Sequence, residues 1–166
     1  MTPTFILLEV RNIALQLINE HLYGHNYKFE FDTAKRRFGW CSWTKKKITI
    51  SKALTLLNWE ENKKEVIDVI KHEIAHALTR AKYGSKVSSH GWEWKQMCIK
   101  IGARPERCYS AEKVVKPQGK YQYKCPHCEK IVQAHKLKKS PTACGRCCRL
   151  YNNNKYTEKF NLVLVA

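Results

Sequence analysis

Residues 69–78 read VIKHEIAHAL, and the reading of this stretch decides the fold. His72 and His76 stand four residues apart, with Glu73 directly after the first. On an α-helix, positions i and i+4 lie one above the other on the same face, so two imidazoles there converge on a single ion. Glu73 falls where a carboxylate reaches a metal-bound water without itself binding the metal, which is the arrangement of a zinc peptidase. A solvated helix with two incidental histidines is the plain alternative. The neighbours argue against it: Val66, Ile67, Val69, Ile70, Ile74, Ala75, Ala77 and Leu78 surround the motif. A helix apolar nearly all round belongs in a core. Two histidines and a glutamate buried there cost several kcal/mol unless paired or metal-bound.

Such a site needs a third protein ligand and an open fourth position. The extended motif with Gly at 79 and His at 82 is excluded, because the chain has Thr79 and Lys82. Gly84 ends the helix, and a polar turn leads to His90-Gly91-Trp92-Glu93-Trp94. A second apolar-periodic segment runs from Trp92 to Ile101 and is closed by Gly102. Two helices joined by a short turn bring His90 back over the His72/His76 face. Glu93 is the rival ligand; neutral imidazole at the helix entry favours His90.

Working outward, residues 3–23 read as an amphipathic helix, with Leu7, Leu8, Leu15, Ile18 and Leu22 among its apolar positions. Tyr27–Asp32, Arg36–Trp43 and Lys47–Ser51 read as three short strands of a small antiparallel sheet. Asn58 with Glu61 three residues on reads as the cap that starts the motif helix. The first part of the chain is therefore expected to be an α+β core of helices plus a small antiparallel sheet, with the metal site between its last two helices. Pro117 and Gly119 mark a boundary, giving domains over residues 1–115 and 116–166.

Beyond that boundary come Cys125-Pro-His-Cys128 and, fifteen residues later, Cys144-Gly-Arg-Cys147. Two CxxC pairs at this distance form a zinc-ribbon signal, four thiolates closing a tetrahedral structural site. The runs at 121–124, 130–137, 149–151 and 159–165 are expected as short strands. A module of about fifty residues has little core of its own, so the metal should contribute much of its stability. Cys148 leaves the register slightly open, and His127 is a substitute ligand. Cys41, Cys98 and Cys108 read as buried free thiols.

The 166 residues carry 31 Lys and Arg against 14 Asp and Glu, a formal charge of +17. Residues 1–112 hold 19 basic and 12 acidic residues, net +7, whereas residues 113–159 hold 12 and two, net +10. A field that dense favours a polyanion, with nucleic acid first among partners. Lys130, Lys136, Lys138, Lys139, Arg146 and Arg149 could track a phosphate backbone, and Tyr121, Tyr123 and Tyr151 could stack on unpaired bases. No basic amphipathic helix or lipidation signal points to a membrane surface. Residues 5–8 are apolar, but Glu9 and Arg11 interrupt them before a secretory core develops. An intracellular protein (cytoplasm or nucleoid, nucleus in a eukaryote) with reduced, metal-ligating cysteines is expected, working as a monomer.

Taken together, HEIAHAL (72–78), HGWEW (90–94), RRFGWCSW…KITIS (36–51) and CPHC…CGRC resemble the SprT-like metalloprotease family, which includes the Spartan-type proteases. The resemblance covers nearly the whole chain in the same order. It implies a zincin-like core with a C-terminal zinc ribbon, a catalytic zinc on His72, His76 and His90, and Glu73 as general acid/base. A second, structural zinc falls to Cys125, Cys128, Cys144 and Cys147. It also implies DNA, including single strands, and DNA-bound or DNA-crosslinked proteins as partners. Two other readings stay open: a non-catalytic DNA-binding zinc protein, and a general intracellular peptidase not controlled by DNA.

Overall fold

A computed structural model describes residues 1–107 and 114–165. By Cα proximity the chain divides into two compact units, Met1–Pro117 and Gln118–Ala166.

Unit one opens with α1, Pro3–His21. Thr2 caps it, its hydroxyl accepting the Phe5 N–H, and Pro3 sits where a missing N–H costs nothing. Its buried face is Ile6, Val10, Ala14 and Ile18, spaced by fours, with Leu22 following. Leu8 and Leu15 lie outside this face and are exposed, contrary to the expected stripe, because the 3.6-residue period lets only one set of positions meet α2.

Three strands follow: β1 (Lys28–Asp32), β2 (Gly39–Ser42) and β3 (Lys47–Ser51), in the order β1-β3-β2. The sheet is mixed, not wholly antiparallel. β2 and β3 form an antiparallel pair, with Gly39 opposite Ile50, whereas β1 runs parallel to β3, with Phe29 opposite Ile48. Taking the central place lets β3 present Ile48 and Ile50, both fully buried, to the core. β2 is left at the edge.

The helix α2 runs Lys52–Tyr83. Its cap is Ser51, the last residue of β3, whose hydroxyl accepts the Leu54 N–H at 3.1 Å. Asn58 is therefore not the start of this helix. It is buried inside it, its amide donating to the carbonyls of Leu54 and Val115 and accepting the Val115 N–H, all at 2.7–2.8 Å. A polar residue with a distant partner and one with a local cap read alike in sequence. The helix does break nearby: Asn62 has non-helical φ/ψ (−129°, 40°), and the motif occupies the segment after this kink. Gly84, at φ 75°, ends it. α3 spans Trp92–Lys100 and packs on α2. Trp59, Val66, Ile70, Ile74, Trp94 and Cys98 fill the core between these elements.

Unit two carries β4 (Tyr121–Lys124), β5 (Ile131–Ala134), α4 (Gly145–Tyr151), a 3₁₀ turn (Glu158–Phe160) and β6 (Val163–Leu164). The strands are antiparallel in the order β5-β4-β6. The run at 149–151 belongs to a helix and not to a strand, since Cys144 caps α4 directly. The small core is Cys125, Cys144, Cys147, Cys148 and Phe160. Among the described residues no helix is long and apolar enough to cross a membrane.

Candidate metal centre

α2 presents His72 and His76 one turn apart, and the loop before α3 brings His90 onto them. His72 Nε2 lies 3.2 Å from His76 Nε2 and 3.3 Å from His90 Nε2. Ligands about 2.05 Å from a tetrahedral zinc stand about 3.3–3.4 Å apart, so these separations are the edges of such a site. Among the described residues the cluster is the three histidines, and Glu93 is not part of it.

The local sequence accounts for this convergence. Gly91 caps α3 and donates its N–H to the Ser88 carbonyl at 3.1 Å, tightening the turn that carries His90. Trp94, in the first turn of α3 and fully buried, underlies all three imidazoles: its ring centroid lies 4.7 Å from His72, 5.4 Å from His76 and 4.7 Å from His90. This floor was missed in the sequence, because His90 lies in the loop before α3 and no helical spacing relates Trp94 to any of the three histidines. Burial holds the imidazoles neutral, the form that binds a metal. It pushes His72 down to about 4 and His76 to about 3, with repulsion from neighbouring imidazoles adding to it. His90 moves the same way, through burial and then the Arg107 charge.

Glu73 is 7 % exposed and leans on β2. A Cβ added at Gly39 would stand 2.5 Å from Glu73 Oε1, so only glycine lets the strand pass this close. The Cys41 backbone N–H donates to the carboxylate. Burial raises Glu73 to about 8, against the opposing pull of Arg37 and that N–H. A cation on the adjacent histidines acts in the same direction as Arg37, favouring the carboxylate. Above the site a cleft of about 860 Å³ is lined by residues 36–44 of the β2 segment, by Asp68, Val69, His72, Glu73 and His76 of α2, and by His90 and Arg104.

In unit two, the four thiol sulfurs of Cys125, Cys128, Cys144 and Cys147 gather into a second cluster. Cys125 Sγ and Cys147 Sγ are 3.8 Å apart, and Cys128 Sγ and Cys144 Sγ 3.7 Å. Zinc–sulfur bonds of about 2.3 Å give tetrahedral edges of about 3.8 Å, so the set fits zinc. The N–H groups of Cys147 and Arg146 draw the Cys144 thiol down to about 7. Cys148 is buried but outside the cluster, and His127 contacts it only through Nδ1, 3.6 Å from Cys147 Sγ.

Cys41 and Cys98 are buried free thiols, whereas Cys108 lies outside the described residues. Of the tyrosines, Tyr123 is 5 % exposed, and its hydroxyl accepts the Lys138 N–H at 2.9 Å. It packs within the ribbon and offers no face to a base. Tyr121 is half-buried beneath the Lys120 ammonium. Tyr151 is 64 % exposed with His127 4.9 Å behind it. Lys130, Lys138, Lys139, Arg146 and Arg149 are exposed or half-exposed around the ribbon, as is Lys136.

The SprT-like family model matches residues 10–115. Protein SprT of Klebsiella pneumoniae is 28% identical over 158 residues, covering 87% of this chain and 92% of that protein. Protein SprT of Pseudomonas entomophila is 29% identical over 97 residues, 54% of this chain and 59% of its own length. Protein SprT-like of Staphylococcus epidermidis is 26% identical over 147 residues, 83% of this chain and 93% of its own.

Proposed function

The chain belongs to the SprT-like family, and from that premise we propose that it is a zinc-dependent metalloendopeptidase that binds DNA and cleaves proteins bound or crosslinked to it. One observation carries the hydrolytic part: three imidazole nitrogens at tetrahedral spacing, beside a buried carboxylate, on the wall of an open cleft. Zinc held by His72, His76 and His90 supplies an acidified water and a polarised carbonyl. Glu73 takes the proton of the attacking water and returns it to the leaving amine. Gly39 and the Cys41 N–H hold that carboxylate in place. β2, unpaired on its outer side among the described residues, offers main-chain donors and acceptors to an extended peptide. Trp94 keeps the three imidazoles from turning.

The DNA part rests on the charge of residues 113–159, net +10, and on Tyr151, whose exposed ring suits base stacking. Affinity supplied by the ribbon raises the local concentration of DNA-bound proteins and gives selectivity without a sequence-specific pocket.

The experiment is cleavage of a purified DNA-binding protein, with and without single-stranded DNA, by wild type and Glu73→Gln. Cleavage that needs DNA and is lost in the variant supports the whole reading. Cleavage indifferent to DNA leaves a general peptidase. A protein that binds DNA and two zinc ions but cuts nothing is a binding module.

A further inference from the structure

Two arginines on the cleft wall are held in different ways. Arg104 donates through Nε to Asp68 Oδ2 at 2.9 Å and through Nη2 to Glu65 Oε2 at 2.5 Å. Two carboxylates consume its charge. Among the described residues Arg37 has one ion-pair partner, Asp32, with the Glu73 charge also acting on it, and the Asp32 carboxylate is shared: it also accepts the Ala34 N–H at 2.9 Å and the Thr49 hydroxyl at 3.1 Å. The Arg37 guanidinium lies 5.2 Å from the centroid of the Trp40 ring, itself 54 % exposed. A guanidinium fixed by an ion pair and a ring face keeps further N–H donors for a ligand, and little side-chain entropy is left to lose on binding it. Arg37 is also close to the chemistry. Gly39, two residues on, touches the Glu73 carboxylate, and two extended residues span at most about 7 Å. Arg36 and Arg107 line the same cleft.

We propose that Arg37 forms an anion-binding subsite beside the hydrolytic centre, and that the cleft selects peptide segments with a carboxylate side chain within one or two residues of the scissile bond. This rests on the peptidase reading given above. A single carboxylate is favoured over a phosphate chain because acids are interleaved along the wall. Asp68, Glu73 and Glu106 line the cleft with the arginines, which makes a poor track for a continuous polyanion but leaves a discrete cationic spot. A peptide lying along the open edge of β2 brings alternate side chains to the Arg37–Trp40 side, as strand addition requires. Arg37 is thus a specificity-determining residue; its charge also draws the Glu73 carboxyl down, an effect common to all peptides that cancels when two of them are compared.

The test uses the zinc-loaded full chain and twin internally quenched peptides, a single Glu scanned along a neutral sequence against its Gln counterpart. Wild type is expected to show a kcat/KM about tenfold higher for the Glu twin at the favoured position, the usual weight of a charged hydrogen bond. Arg37→Gln should collapse that ratio toward one, and Arg37→Lys should restore part of it. Should Arg37→Gln fail to fold, Trp40→Leu, which removes the exposed ring face that holds the guanidinium, reads the same ratio: a fall supports the subsite and an unchanged ratio overturns it. A wild-type ratio of one at every position overturns the subsite. If neither twin is cut, the peptidase reading has failed instead, and binding of the labelled twins by fluorescence anisotropy decides the subsite: an Arg37-dependent preference for Glu supports it, equal binding overturns it. Loss of oligo-dT affinity in Arg37→Gln with the peptide ratio intact gives the cleft to nucleic acid and also overturns it.

Discussion

At the scale of single residues, the centre is organised by contacts that leave little room. Glu73→Gln keeps the shape of the carboxylate but cannot take a proton, so kcat should fall by roughly 10²–10⁴-fold while zinc content stays unchanged. Gly39→Ala asks for a methyl 2.5 Å from Glu73 Oε1. The carboxylate must move, and a misplacement of about 1 Å is expected to lower kcat about 10²-fold with KM little altered. The thiols give a pH prediction. Burial first, then the Asp68 charge, raises Cys98 to about 12 from the ordinary value of 9.0. The folded state therefore keeps a proton that the unfolded chain releases above about pH 9. The stabilisation is complete below that pH and lost as pH climbs toward 12. Melting temperature measured from pH 8 to 11 should fall less steeply in Cys98→Ala than in wild type, once both are referred to pH 8. Parallel slopes would remove burial of this thiol as the cause.

At the scale of elements, α2 does two jobs on either side of its kink. Before Asn62 it ties the chain together, with Asn58 holding both the N–H and the carbonyl of Val115. Asn58→Ala leaves those backbone groups without partners in the interior, and a loss of about 1–3 kcal/mol in denaturant unfolding is expected, with the histidine cluster intact in the folded fraction. Ser51→Ala removes the helix cap and also the hydrogen bond its buried hydroxyl donates to the Ala34 carbonyl, and should cost about 1–3 kcal/mol. After the kink, α2 supplies two of the clustered histidines and Glu73, and α3 supplies the tryptophan beneath them. The motif helix and the glycine that ends it were legible from spacing and composition. Its true start was not, because Ser51 lies inside a run of strand-forming residues, and Asn58 with Glu61 imitates a cap. The parallel pairing of β1 with β3 was equally hidden, since strand order depends on which strand the helices cover, not on the strands themselves.

At the scale of the whole molecule, the two metal clusters belong to separate units and should fail separately. Strong chelation of the zinc-loaded protein is expected to release two zinc ions per chain. The melting of unit two should be affected most, because a core of five buried residues needs its metal. Cys125→Ser should release one ion and leave cleavage of short peptides in place, whereas His90→Ala should release the other and abolish it. Metal analysis beside a peptide assay checks both. DNA affinity should fall steeply with salt, in proportion to the phosphates neutralised, and a salt-independent affinity would falsify the electrostatic reading of residues 113–159.

The sequence alone singled out the residues of the two clusters and their neighbour: two histidines with a glutamate on one helical turn, a third histidine at the entry of the next helix, and four cysteines in two knuckles. These follow from local geometry, where spacing fixes which side chains share a face. Only the tertiary structure decided how these residues are held and what faces them. Trp94 under His72 and His76, Gly39 against Glu73 and Tyr123 inside the ribbon are contacts between segments apart in sequence, and Arg37 between Asp32 and Trp40 is held by an irregular loop with no period to read. Their chemistry is set by packing, which no local period of the chain encodes.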